Sequence, residues 1–474
     1  MSARAALRVF LFTAALLVAA CAPVGPDYVR PDYELPQTFP VAAASQGAPL
    51  PVDWWTLYGD PRLNELVTSA LQRNSDIRLA VARIEEADAN LREANASFLP
   101  QIDVNAVPTR SRISSTQATP LSGAIPLVRN NVRLTATTSF ELDFWGRLRR
   151  GVEAIRAQAL GTRYAKDVVA LSLTGLTAQV YFSLRSLDAQ VAVTRQTLAS
   201  REEALTYVRN RARGGIASDL DVAQAETARA DSAALLKDLL RQRALAEHQL
   251  AALAGRPDLA LPGGDLLALP VPPLPPAGLP SALIERRPDI RQAEQTLVAA
   301  NAQIGVARAA MLPTLSLTGL DGWESRALSS LLQGSSAIWS LGFALTLPLF
   351  DWGRFEARTD AAIARQHQAI AGYQRSIETG FREVADALSN TQQTTSAEED
   401  YLARVEAARR ALRLARLRYE SGYSAFLEVL DAQRTANEAE LAFVRNRQAR
   451  LSASVDLMKA LGGGWAPEMT GTYP

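Results

Sequence analysis

The chain carries one pattern twice, so any fold it adopts is built from two copies of a single unit. Arg73-Asn74-Ser75-Asp76-Ile77-Arg78 recurs as Arg286-Arg287-Pro288-Asp289-Ile290-Arg291, an offset of 213. Ala94, Ala96, Leu99 and Pro100 match Ala307, Ala309, Leu312 and Pro313 at that same offset. Trp145-Gly146-Arg147 recurs as Trp352-Gly353-Arg354 at an offset of 207. The second offset holds through Ala204-Leu205, Arg211, Gly215, Leu220, Val222, Ala225 and Gly255, whose partners are Ala411-Leu412, Arg418, Gly422, Leu427, Val429, Ala432 and Gly462. Chance similarity does not hold register over such a length, so the repeat is a duplication. The change of offset falls between Pro100 and Trp145 and confines the length difference to that segment.

Each copy reads as helix, two strands, long helix, turn, long helix. Val132, Leu134, Ala136, Thr138, Phe140, Leu142 and Phe144 alternate with Asn131, Arg133, Thr135, Thr137, Ser139, Glu141 and Asp143. In the second copy Trp339, Leu341, Phe343, Leu345, Leu347 and Leu349 alternate with Ser340, Gly342, Ala344, Thr346 and Pro348. This is the period of a strand with one apolar face. Weaker strands are expected around Ile102 and Val104, and around Leu315 and Leu317. Apolar-out, polar-in segments of about ten residues suit an outer-membrane barrel, although the alternation alone also fits one face of a soluble sandwich. No uninterrupted apolar stretch after Cys21 approaches the roughly 20 residues of a spanning helix, and without such a helix a membrane is crossed only by a closed barrel. Four strands are too few, because closed membrane barrels begin at about eight. The barrel is therefore expected to be shared between chains, and the count leaves two, three or four subunits open.

The helical segments carry a coiled-coil seam. Val180, Leu184, Leu187, Val191, Leu198, Leu205 and Val208 follow a four-three spacing, with Thr194 and Arg201 in the polar places. A helical bundle core would show the same seam, but would not explain the strands beside it. Gly214-Gly215 and Ser421-Gly422 are placed to end the first long helix of each pair, and Ser218 and Ser424 to cap the next. Between the copies, prolines at 262, 270, 272, 273, 275, 276 and 280 make an extended crossover.

Arg4 and Arg8, an apolar run from Val9 to Val18, and Ala19-Ala20 before Cys21 read as a secretory signal. Cys21 is the only cysteine, so once it is lipidated no thiol remains for a disulfide or a nucleophile. A net charge of +1 argues against a nucleic-acid partner. No catalytic or metal-ligand constellation stands out: His248 and His367 are the only histidines and lie in separate helical segments. The expected division is a signal peptide over 1–20, a lipid-anchored extension over 21–61, a first repeat over 62–260, the crossover over 261–280, a second repeat over 281–464 and a tail over 465–474.

Leu17-Val18-Ala19-Ala20-Cys21 resembles a bacterial lipobox, and Ala22 after it carries no inner-membrane retention signal. Pro26-Asp27-Tyr28, Asp53-Trp54-Trp55, Gly59-Asp60-Pro61, Arg418-Tyr419 with Gly422, Leu430-Asp431-Ala432-Gln433 and Ala460-Leu461-Gly462-Gly463-Gly464-Trp465 resemble the TolC-like outer-membrane efflux factors, in the lipoprotein branch that serves resistance-nodulation-division pumps. The resemblance covers nearly the whole mature chain. It implies a mixed α and β homotrimer, one 12-stranded outer-membrane barrel continuous with a helical coiled-coil barrel in the periplasm. It also implies a periplasmic adaptor and an inner-membrane pump as partners, outer-membrane lipid around the barrel, and no cofactor besides the lipid on Cys21. Carried over by position, Leu427, Glu428 and Asp431, with Asp221 from the first copy, would form a periplasmic gate. Arg418 and Tyr419 would support it, and Gly215 and Gly422 would mark the tips that dock the adaptor. Ser424 departs from an arginine that some relatives carry there. A leucine ring would exclude water and acidic rings would favour cations, whereas the same carboxylates on a plain coiled coil would only be solvated. Three rivals remain. A bridging envelope lipoprotein needs no alternating strands, an envelope hydrolase lacks a nucleophile–base pair, and a type I protein-secretion outlet is told apart by its neighbouring genes.

Overall fold

The computed structural model describes residues 23–34, 36, 39, 50–114, 116, 126–273 and 283–465; Cys21, the signal segment, part of the crossover and the tail lie outside them. The first copy supplies α1 (Pro61–Arg73), α2 (Ser75–Ala96), β1 (Gln101–Arg112), β2 (Val128–Leu142), α3 (Arg147–Arg213) and α4 (Asp219–Leu253). The second supplies one turn at Leu283–Arg286, then α5 (Pro288–Ala309), β3 (Thr314–Ser325), β4 (Ala337–Thr346), α6 (Arg354–Glu420) and α7 (Phe426–Ala460). Equivalent helices are equally long: 22 residues for α2 and α5, 67 for α3 and α6, 35 for α4 and α7. The strands break that equality, since β2 has 15 residues and β4 only 10. The chain divides into two compact units, Met1–Asp32 with Ile84–Gly161 and Ala293–Gly372, and Tyr33–Arg83 with Thr162–Gln292 and Tyr373–Pro474.

In the first unit the strands form an antiparallel sheet in the order β1-β2-β3-β4. The two hairpins share one register: Val104 faces Ala136, and their repeat equivalents Leu317 and Phe343 face each other. The length difference between the copies therefore sits in the hairpin loop and not in a strand. Cross-strand partners point to the same side, which gathers Ile102, Val104, Leu134, Phe140, Leu317, Trp323 and Phe343 on one face. Asp103, Asn105, Thr135, Thr137 and Glu324 occupy the other, where Asn131 donates to Glu324 at 2.8 Å and Asn105 to Thr137 at 3.2 Å. The apolar face stays exposed at Ile102, Val104, Trp339, Leu341, Phe343 and Leu345. Asp321, opposite Trp339, interrupts it. The alternation anticipated β4 through Leu349, but the strand stops at Thr346, because its neighbour in the sheet, β3, begins at Thr314 opposite that residue.

A strap formed by residues 23–30 lies against this unit. The Val24 N–H donates to the Trp145 carbonyl, Asn301 donates to the Pro26 carbonyl, and Arg150 pairs with Asp27 at 2.6 Å. Tyr28 and Arg30 both reach Glu294. The strap approaches α5 so closely that a Cβ on Gly25 would lie 2.6 Å from the Cα of Gly305, which is why both positions are glycine.

The second unit holds the main core. Trp54, Tyr58, Leu63, Leu66 and Val67 from the N-terminal segment and α1 pack on Tyr181, Phe182 and Leu184 of α3 and on Leu451 and Val455 of α7. Burying each such large apolar side chain contributes roughly 1.5–3 kcal/mol. By length and composition α3 is apolar enough to cross a membrane, yet half of that stretch is buried against other helices. Burial, reinforced by a hydrogen bond to Asp60, pushes the Tyr181 phenol up to about 12, so it stays a donor. The coiled-coil seam is buried at Val180, Leu184, Leu187, Val191, Leu205 and Val208.

Asp188 ties the crossover to the helices. Its carboxylate accepts from Arg185 at 2.8 Å, from Arg243 at 2.8 Å and from the Gly264 N–H at 3.1 Å. Both arginines also donate to crossover carbonyls, Arg185 to Pro262 and Arg243 to Leu261. Removing one partner from a buried charge network leaves the other charges uncompensated. Asp188→Ala is expected to cost about 3–5 kcal/mol, measured by denaturant unfolding of the detergent-solubilised protein; an unmoved midpoint would show that the network holds nothing.

Candidate functional site

The two helical hairpins turn in the same way. After α3 the Ile216 N–H donates to the Arg211 carbonyl and the Gly215 N–H to that of Ala212, both at 2.9 Å. After α6 the Tyr423 N–H donates to Arg418 at 2.8 Å and the Gly422 N–H to Tyr419 at 3.0 Å. This double closure needs a left-handed residue, and Gly215 and Gly422 have φ of 71° and 79°.

The caps that follow differ. Ser218 caps α4, accepting from the Asp221 N–H while the Asp221 carboxylate accepts from the Ser218 N–H at 3.0 Å. In the second copy the capping position is Ala425, which offers no side-chain acceptor. Ser424, expected to cap α7, sits one residue too early, and its hydroxyl is buried without a hydrogen bond. The repeat offset would have located the error, since Ser218 corresponds to Ala425.

The tips pack on each other through Leu205, Val208, Ala225, Ala415, Tyr419, Phe426 and Val429. Tyr419 is central: its ring meets Tyr207 edge-on at 6.2 Å and Phe426 at 5.3 Å, and the Arg211 guanidinium lies 5.1 Å from its centre. Burial raises the Tyr419 phenol above the usual range, against the opposing effect of Arg211. Beside this cluster lies a cleft of about 320 Å³ lined by Ser200, Tyr207, Arg416, Tyr419, Phe426 and Gln433, among others. The buried Gln433 amide makes no hydrogen bond there.

Of the residues expected at a gate, Glu428 pairs with Arg418 at 3.2 Å. Asp431 pairs instead with Arg434 at 2.7 Å, and Arg434 also reaches Glu438 at 3.0 Å. Asp221 is committed to the capping box. Leu427 and its repeat equivalent Leu220 stand out from the surface, 60% and 65% exposed. Sequence reasoning missed Arg434, although its three-residue spacing from Asp431 was a signal. It also missed Arg211, the repeat equivalent of Arg418. Among the described residues no group of three or more histidine, cysteine, aspartate or glutamate side chains forms a metal site.

The family described as outer membrane efflux protein matches residues 66–256 and 279–463, one stretch for each copy. The chain belongs to that family. It is 38% identical to outer membrane protein OprJ of Pseudomonas aeruginosa over 95% of this chain and 94% of that protein. It is 33% identical to the cation efflux system protein CusC of Escherichia coli over 96% and 98% of the two chains. The crystal structure of the open state of the Neisseria gonorrhoeae MtrE outer membrane channel superposes with a TM-score of 0.83 at 33% identity, covering 94% of this chain and 99% of that one. Like these efflux proteins, the chain is an outer-membrane channel subunit that extends into the periplasm. Three chains complete one barrel of twelve strands continuous with a helical barrel.

The geometry around Tyr419 separates its ring from its hydroxyl. Tyr419→Ala removes the ring from the tip cluster and is expected to lower local stability by about 3 kcal/mol, read as faster amide exchange at both tips. Tyr419→Phe keeps the ring and loses a buried hydroxyl that has no hydrogen bond within the chain, so exchange should stay unchanged. Equal acceleration in both variants would assign the hydroxyl the holding role.

Proposed function

We propose that this chain is the passive exit duct of a tripartite efflux pump and that it is closed at its hairpin tips. A periplasmic adaptor and an inner-membrane pump would supply energy and cargo, and the trimer would supply the path out for drugs or other small molecules. The observation that carries the gate is the exposure of Leu220 and Leu427 at repeat-equivalent places beside the tips. Three chains with two copies each would present six such leucines around one axis, and an apolar constriction excludes water. Glu428 and Asp431 would add acidic rings that favour cations, partly balanced by Arg418 and Arg434 on the same chain. Arg418 and Tyr419 would hold the tips shut, and the open state named for the MtrE channel supports a channel with more than one state. The efflux name of CusC favours a pump partner over a protein-secretion transporter. No enzymatic step enters this reading. Lipid on Cys21 would anchor the mature chain to the outer membrane.

Replacing Glu428 and Asp431 together with alanine is expected to raise single-channel conductance in planar bilayers and to weaken cation preference. Unchanged conductance and selectivity would sink the acidic gate. For docking, Gly422→Trp places a bulky residue at a left-handed position with open space around it. Drug resistance should be lost while detergent-stable trimers persist, and retained resistance would count against adaptor docking at the tips.

A further inference from the structure

The internal β2–β3 junction is a seam between the two copies, so the duplication allows it to be transposed onto the seam between chains. Within the chain, β2 of the first copy pairs with β3 of the second: Thr137 faces Leu320, Phe140 faces Leu317 and Leu142 faces Leu315. The two repeat offsets carry β2 onto β4 and β3 onto β1. They are trustworthy for this purpose because they already convert ten of the twelve β1–β2 pairs into the ten observed β3–β4 pairs. Applied to the β2–β3 junction, they place Ala344 opposite Val107, Leu347 opposite Val104 and Leu349 opposite Ile102, on β4 of one chain and β1 of the next.

The foot of this junction carries a second, independent mark. Trp145, just after β2, donates its indole N–H to the Pro313 carbonyl, just before β3, at 2.7 Å. The repeat equivalents are Trp352 and Pro100. Trp352 is 99% exposed, and among the described residues it is the only non-glycine with positive φ, at 57°. A bulky side chain in that region is an outlier, whereas its twin Trp145 is half-buried and free of it. The segment between β4 and Trp352 differs in the same sense: Leu142 is strand, but its equivalent Leu349 is not. At this foot, what the second copy lacks is what the first gains from the strand beside it.

The geometry points to a subunit seam in which β4 pairs antiparallel with β1 of the partner subunit in the β2–β3 register, Ala344 opposite Val107 of the partner subunit, with the Trp352 indole donating to the carbonyl of Pro100 of the partner subunit. The seam extends β4 to Leu349 and returns Trp352 to the conformation of Trp145. Both faces stay consistent, since Leu347 and Leu349 meet Val104 and Ile102 on the apolar side. A shift by one residue would turn apolar residues inward. A shift by two keeps the faces but breaks the indole bond, which is how the tryptophan selects the register. The inference rests on the trimeric barrel of the family and is independent of gating.

Disulfide trapping in outer membranes tests the register. Opposite residues have Cβ atoms about 4.5–5.5 Å apart and diagonal ones about 7–8 Å, so only true partners link readily. Within one chain β2 and β3 separate β1 from β4 by roughly 14 Å at about 4.8 Å per strand, which excludes an intrachain bond. The Val107→Cys/Ala344→Cys chain should run as a covalent trimer on a denaturing non-reducing gel. Asn105→Cys/Ala344→Cys and Thr109→Cys/Ala344→Cys, and the parent chain with Cys21 alone, should run as monomers. Preferred linkage of a shifted pair, or no linkage in any of the three, overturns the register. Trp352→Phe should lower the temperature at which the purified trimer dissociates in detergent, where no bilayer anchors the ring. An unchanged temperature overturns the indole bond and leaves Trp352 as a lipid-interface anchor.

Discussion

The unsatisfied backbone at the two edges of the sheet is the constraint on which the rest of the structure depends. β1 and β4 each present a row of unpaired N–H and C=O groups, and lipid offers these groups no partner. An open four-stranded sheet with an exposed apolar face is stable neither in water nor in a bilayer. Only closure removes the edges, and closure requires more strands than one chain has. Association of chains is thus a consequence of backbone hydrogen bonding before it is a matter of function. The twelve strands of the trimer make six hairpins, and each hairpin is followed in the chain by a pair of long helices.

Duplication supplies that closure economically. A unit that pairs with a copy of itself within the chain also pairs with a copy in the next chain, so one interface solves two problems. The equal lengths of α3 and α6, and of α4 and α7, show how strictly the repeat has been held where helices must stay in step around a ring. The hairpin loop is where the copies differ in length.

Much of this was legible in the sequence because duplication and periodicity are visible in residue order. The alternation around Val132 to Leu142 gave the strand and both its faces, and the four-three spacing gave the seam that buries Leu184 and Val208. What was not legible depended on neighbours in space. The end of β4 depends on where its sheet neighbour begins, Thr314 opposite Thr346. The cap of α7 was misplaced by one residue because serine is a common capping residue, and only the offset from Ser218 points to Ala425. The pairing of Asp431 with Arg434 lies within one helical turn and its spacing was a signal, whereas the stacking of Arg211 on Tyr419 joins two hairpins far apart in sequence.

The copies differ most where the repeat symmetry would otherwise be a liability. A tunnel whose six tips were identical would have equal hold at every tip, and opening would demand that all six yield together. Here the first hairpin spends its acid on a capping box, Asp221 with Ser218, and its arginine on aromatic rings. The second leaves its cap empty at Ala425 and turns Arg418 toward Glu428, an exposed pair of the kind that contributes at most about 1 kcal/mol. Both tips share the backbone closure and the aromatic cluster; the first adds a capping box to them, and the second only a surface charge pair that salt screens.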